Sequence, residues 1–185
     1  MWIALVIVGI AVLLFIFFSN TVVGKKNAVE NAYSSIDVML KKRYDLIPNL
    51  VETVKTYMNY EKDTLTKITE LRAKATSPNI SADEKIAIEN QLNTQMRGIM
   101  VAVENYPDLK ANSNFLQLQG SWNEIEEQIS AARRAYNAAV NDYNNSVEMF
   151  PTSFFANMKG YKRKASIEIP EEERKNISAK DLFKN

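Results

Sequence analysis

The amino end constrains this chain most. Trp2 to Phe18 read WIALVIVGIAVLLFIFF, a run with no charged or polar side chain. Coiled as a helix at ~1.5 Å per residue, the run spans ~26 Å, the short end of what crosses the hydrocarbon core of a bilayer. Met1, Ser19 and Thr21 to Val23 extend it slightly, and Trp2 suits the headgroup interface. A cleaved signal peptide would carry a basic n-region and a shorter apolar stretch. Here no Lys or Arg precedes the run, and Val22-Val23-Gly24 makes a weak cleavage site. A core helix apolar all round would leave much of itself exposed in so small a domain. The reading adopted is a retained single-pass anchor over residues 1–24, meeting lipid through Trp2, Phe15, Phe17 and Phe18. Lys25 and Lys26 follow the run, so the positive-inside rule puts the remaining domain in the cytoplasm.

About 160 residues lie beyond the anchor, enough for one domain with a modest core. Lys plus Arg number 23 and Asp plus Glu 22, so the basic excess of a phosphate-tracking surface is missing and nucleic acid is not an expected partner. With no Cys, disulfides, thiolate metal sites, a cysteine nucleophile and a lipid-modified cysteine are all excluded. With no His, a Ser-His-Asp triad, the usual zinc sites and a Glu-x-x-His di-iron bundle are excluded too. No glycine loop suited to phosphate is present. No cofactor, metal or small-molecule substrate is expected, although carboxylate or lysine chemistry stays open in principle.

Five Gly and five Pro fit long helices. The expected fold class is all-α: an N-terminal transmembrane helix, an antiparallel helical bundle with long coiled-coil-like helices over residues 25–161, and a charged tail over 162–185. From Asn27 to about Ala75, Ile36, Leu40, Ile47, Leu50, Val54, Tyr57, Ile68, Leu71 and Ala75 fall on two positions of a seven-residue repeat, with Arg43, Glu61 and Thr64 as strays. That phase predicts one long helix kinked at Pro48, with the side chains of Asp45 or Asn49 satisfying groups the proline frees. Thr76 to Ile80 breaks it. Ser81 and Glu84 then form a capping box for a second helix reaching about Asn105, with Ile86, Ile88, Leu92, Met96, Ile99, Met100 and Val103 inward. Tyr106-Pro107-Asp108 ends that helix. A third, capped by Ser113 or Asn114, carries Phe115, Trp122, Ile129, Tyr136, Tyr143 and Phe150 on one seam position and Leu118, Ile125, Ala132, Ala139 and Ser146 on the other. Thr152 to Met158 forms a short fourth helix closed by Gly160. From Ala165 onward the chain reads as a loosely held tail, with Leu182 and Phe183 its late apolar pair.

Several blocks resemble the LemA family. They are Asn31 to Lys55 (NAYSSIDVMLKKRYDLIPNLVETVK), Tyr106 to Asn112 with Asn114 to Leu118, Ala132 to Asn137, Tyr143-Asn144 and Phe150-Pro151. The likeness runs from about residue 25 to 161. It implies a bacterial-type single-pass protein of the inner membrane with an antiparallel helical bundle, and little about activity. Some members are linked to magnetosome membrane formation. Tyr33 stands where the family often has Trp, and Tyr60 where His is common, so any chemistry of that His is not available here.

Within the signature, Ile36, Asp37, Lys42, Arg43, Asp45, Leu46, Pro48 and Asn49 are the candidate partner contacts. Lys41-Lys42-Arg43 suits an anionic lipid or an acidic partner, but a solvated face is the preferred reading. For Arg43 two readings stand. It either points inward to a carboxylate, Glu126 or Glu127 on the third helix, or snorkels outward along its stem. Glu124, Glu126 and Glu127 with Glu171 to Glu173 do not converge at cation spacing and read as solvated. The aromatic column reads as core. The function expected is a non-enzymatic scaffold that self-associates or recruits other membrane proteins. A membrane-shaping oligomer is the alternative, and an enzyme ranks third.

Overall fold

A computed structural model describes residues 1–58, 62–78 and 80–167, with only the backbone at Ala82 and Asp83. Its helices are α1 (Trp2–Tyr57), α2 (Lys62–Ala75), α3 (Ala82–Ala102) continued by a 3-10 turn at Val103–Asn105, α4 (Pro107–Lys110), α5 (Ser113–Glu148) and α6 (Thr152–Met158). No strand occurs among the described residues. The chain divides into two compact units, Met1–Ile36 with Ser130 onward, and Asp37–Ile129.

In the second unit, Leu40, Arg43, Ile47, Leu50 and Val54 are buried along α1 at alternating steps of three and four. The single helix expected to Ala75 is two helices: α1 stops at Tyr57 and α2 opens at Lys62. Continuing the phase would have put polar Glu61 and Thr64 on the seam. Turning back instead lets Leu65, Ile68, Leu71 and Ala75 be buried on α2, which packs against α3. Glu61 and Tyr60 themselves lie outside the described residues.

Contacts fix the directions. Asp37 pairs with Lys85 and Arg43 with Glu89, so α1 and α3 run in parallel. Tyr44 meets Arg72 on α2, and Tyr57 meets Asn112 while Arg43 meets Glu126 on α5, so α2 and α5 run the opposite way. This is an up-down-up-down antiparallel bundle.

The capping box at α3 is present. Ser81 Oγ accepts from the Glu84 N–H at 3.3 Å, and Glu84 accepts from the Ser81 N–H at 3.0 Å. The Ser81 hydroxyl first, and its backbone N–H second, hold the Glu84 carboxyl below the ordinary range. The inward face of α3 is Glu89, Leu92, Met96, Ile99 and Val103, whereas Ile86, expected inward, is 40% exposed. Counting back by threes and fours from Val103 reaches Glu89 and skips Ile86. The cap of α5 also differs from expectation. It is Asn112, whose Oδ1 accepts from the Phe115 N–H at 3.0 Å while its amide donates to the Tyr57 hydroxyl at 3.0 Å.

In the first unit, α1 and α5 are antiparallel, joined by Lys25–Asp142 at 2.7 Å and by Tyr33 edge-on to Tyr136 at 5.9 Å. Between them Val22, Val29, Val140, Tyr143 and Val147 form a core with Ala156 of α6. Phe150, expected at the end of the aromatic column, is 88% exposed, because α5 stops at Glu148 and the seven-residue spacing loses its meaning there. Helix α6 ends in a Schellman motif: Tyr161 N–H donates to the Ala156 carbonyl, Gly160 N–H to that of Asn157, and Gly160 adopts φ 68°.

Candidate functional site

The family-like signature sits on α1, and its centre is a buried charge cluster. Arg43 is fully buried, as is Glu89, and Nη1 of the arginine donates to Glu89 Oε2 at 2.6 Å. Arg43 Nη2 pairs with Glu126, whose side chain is 34% exposed, and the guanidinium lies 4.9 Å from the centroid of the Trp122 ring. Of the two readings open for Arg43, the inward one is found, with Glu126 rather than Glu127. Tyr44 adds a second donor, its hydroxyl 2.5 Å from Glu89 Oε1. Burial first, and the Glu89 charge second, push the Tyr44 phenol far above its ordinary range.

Glu89 is the partner that sequence reading missed. It stands in a polar stretch, and only the three-and-four phase of Leu92, Met96, Ile99 and Val103 marks it as a seam position. A buried guanidinium needs carboxylates because an uncompensated charge in the interior costs several kcal/mol. Two carboxylates, one tyrosine and one indole supply that compensation here.

Pro48 lies inside α1 without ending it, and no new helix begins there. It leaves the Tyr44 carbonyl without its helical N–H. That carbonyl accepts from Arg72 Nε at 2.7 Å. The side chains expected to satisfy the groups freed by the proline, those of Asp45 and Asn49, are exposed instead. Ile36 is buried in the first unit, and Asp37 pairs with Lys85 at 2.5 Å. Lys42, Asp45 and Asn49 are exposed, and their steps of three and four set them on one outer face of α1. Leu46 and Asn49 line an open polar groove of about 610 Å³, together with Asn114, Gln117 and Ser121 of α5.

A second constellation lies in the first unit. Residues 162–167, part of the segment read as a charged tail, run extended along α5. Asn144 exchanges two hydrogen bonds with the Lys164 backbone, at 3.0 and 2.9 Å, and Asn137 does the same with Ile167, both at 2.9 Å. The hydroxyls of Tyr143 and Tyr136 donate to the carbonyls of Lys162 and Ala165, at 3.0 and 3.4 Å. Seven helical residues rise ~10.5 Å and three extended ones ~10 Å, so a Tyr-Asn pair repeated at seven meets every third residue of the strap. Residues 165–167 are therefore tied down, not loosely held. Glu171 to Glu173, Leu182 and Phe183 lie outside the described residues. Burial raises the Tyr136 and Tyr143 phenols above their ordinary range.

The signature blocks and the bundle meet in one comparison: residues 32–180 match the LemA family. The chain belongs to the LemA family. Protein LemA of Metamycoplasma hominis is 26% identical over 175 residues, covering 95% of this chain and 80% of that protein. Magnetosome protein MamQ 2 of Paramagnetospirillum magneticum is 24% identical over 169 residues, which span 78% of this chain but only 62% of the relative. Magnetosome protein MamQ of Magnetospirillum gryphiswaldense is 21% identical over 84% of this chain and 69% of its own length.

The family match extends past residue 161 into the strap, which agrees with the Tyr-Asn ladder holding that segment. Neither the family description nor these names denotes an enzymatic activity. In this LemA-family chain the Arg43 cluster is a closed lock: its donors and acceptors are turned toward one another. Among the described residues no group of acidic side chains is placed to hold a metal ion. The N-terminal run of α1 is long and apolar enough to cross a membrane, and only 6% of its most apolar window is buried.

Proposed function

We propose that this chain is a non-enzymatic helical scaffold anchored in a bacterial cell membrane, which self-associates or recruits protein partners. The observation that carries the proposal is the bare apolar run of α1, with Trp2 81% and Leu13 68% exposed, covalently continuous with a helix whose later turns build the bundle. An uncovered apolar surface of that length is costly in water and favourable in lipid. Exposed Lys42, Asp45, Pro48 and Asn49 are the proposed partner contacts, and Ile36, Asp37, Arg43 and Leu46 hold that face in place. Lys25 and Lys26 favour a cytoplasmic domain.

Sedimentation after alkaline extraction of cell membranes tests the anchor, and recovery in the supernatant would refute it. Crosslinking of the detergent-solubilised full chain tests the scaffold. Wild type is expected to give higher-mass species that an Asp45→Lys, Asn49→Lys variant loses, and a monomer alone in both would count against it. Because the chain has no Cys, a single Ser113→Cys reports the side of the membrane by labelling with an impermeant maleimide in intact and opened cells. The similarity to magnetosome proteins favours a second reading, an oligomer that shapes the bilayer. Unchanged liposomes carrying the protein would remove it.

A further inference from the structure

Helix α6 sits beside the last turn of the apolar run. The Phe155 ring lies 5.3 Å from Phe15, edge-on, and 5.6 Å from Phe18, stacked. Ala156 on the same helix is fully buried in the Val22, Val29 and Val147 core, so α6 is held from two sides. Yet around it Met149, Phe150, Phe154 and Met158 are 62%, 88%, 60% and 62% exposed. Phe150, Phe154 and Met158 recur every four residues, and Phe154 and Met158 form one stripe on α6. Four large apolar side chains exposed together around a seven-residue helix have no reason to face water.

Depth decides what covers them. Phe15 and Phe18 occupy the last ~5 Å of a run spanning ~26 Å, against a hydrocarbon core of ~30 Å. Embedding the run brings Phe155 and its neighbours to the hydrocarbon boundary. The collar just beyond is basic: Lys25 and Lys26 on α1, then Lys159, Lys162, Arg163 and Lys164 after α6. Among the described residues the acids paired with it are Asp142 on Lys25, Glu148 on Arg163 and Glu30 on Lys26, which leaves a positive excess there. Aromatic and methionine side chains under lysines are the composition of a helix lying in the plane of an anionic bilayer surface.

We infer that α6, with Met149 and Phe150 before it and the basic segment 159–164 after it, is a second membrane element: an interfacial foot that inserts Phe150, Phe154 and Met158 into the headgroup boundary of anionic lipid. The inference rests on the anchor proposed above. The foot supplies apolar surface where the short anchor falls a few ångström below the core thickness, and it fixes the first unit at the surface by two contacts instead of one.

The absence of native Cys makes the test direct. The full chain carries a single cysteine at Phe154, Phe150, Leu14 or Ala138, each labelled with an environment-sensitive fluorophore and reconstituted in phosphatidylcholine–phosphatidylglycerol vesicles. Leu14 reports the anchor, and exposed Ala138 on α5 is the aqueous reference. At Phe154 and Phe150, shallow lipid nitroxides should quench the emission strongly while aqueous iodide has little effect, because an interfacial helix buries its apolar face at the headgroup boundary. Removing phosphatidylglycerol should weaken that quenching. Quenching at Leu14 with Phe154 and Phe150 open to iodide would overturn the foot and leave the anchor standing. Failure of nitroxides to reach Leu14 as well would overturn both.

Discussion

Arg72 donates its Nε–H to the Tyr44 carbonyl at 2.7 Å, the carbonyl that Pro48 leaves without its helical partner. A proline four residues on would ordinarily weaken the helix at this point. Here the same vacancy becomes the tether between α1 and α2.

The pair makes a double-mutant cycle. Arg72→Ala strands a part-buried carbonyl and is expected to cost about 1–3 kcal/mol. Pro48→Ala restores the helical N–H, so the same Arg72→Ala change should cost clearly less in that background. Thermal unfolding by circular dichroism of the full chain in detergent measures all four proteins. Equal costs in both backgrounds would show that Arg72 and Pro48 are not coupled.

Glu89→Ala leaves Arg43 buried with one partly exposed carboxylate and Tyr44 with no acceptor. Breaking a buried pair in this way is expected to cost about 3–5 kcal/mol. The combined Arg43→Met, Tyr44→Phe, Glu89→Leu, Glu126→Leu variant removes the charged and hydroxyl partners of the cluster together and should recover most of the loss. Denaturant midpoints decide between a lock and an indispensable charge. If the apolar variant is as unstable as Glu89→Ala, the cluster is more than a lock.

Tyr44 sets an alkaline limit. Its folded-state pKa lies above the ordinary value of 10.0, so the folded bundle holds the neutral phenol more strongly than the unfolded chain does. The stabilisation is complete below about pH 10 and is lost as the pH climbs from there toward the folded value. Melting temperature should fall above that pH, and more gently in Tyr44→Phe. Tyr136 and Tyr143 shift in the same direction and add to the slope.

The strap responds to its asparagines one at a time. Asn144→Ala deletes both hydrogen bonds to Lys164, about 2 kcal/mol if each contributes about 1, or roughly thirtyfold in local opening. Amide exchange at Lys164 should quicken by that factor while the amides of Leu92 and Met96 keep their protection. Unaltered exchange at Lys164 would mean that the ladder does not hold the strap.

Much of this molecule was legible in order along the chain. The apolar run, the capping box at Ser81, the aromatic column down to Tyr143 and the α6 stop at Gly160 follow from local rules: hydrocarbon content, cap chemistry, a seven-residue phase and a left-handed glycine. These depend on neighbours within a few turns, so the sequence by itself determined them. Tertiary structure decided the rest. Phase alone placed Arg43 on a seam but could not choose Glu89, 46 residues away, as its counter-charge. Nor could it show that α1 stops at Tyr57, that Arg72 closes the gap at Pro48, or that two asparagines hold the strap. Each of those is a polar group finding a partner remote in sequence. A buried donor or acceptor must be satisfied, but which group satisfies it is settled only when helices from distant parts of the chain are laid side by side.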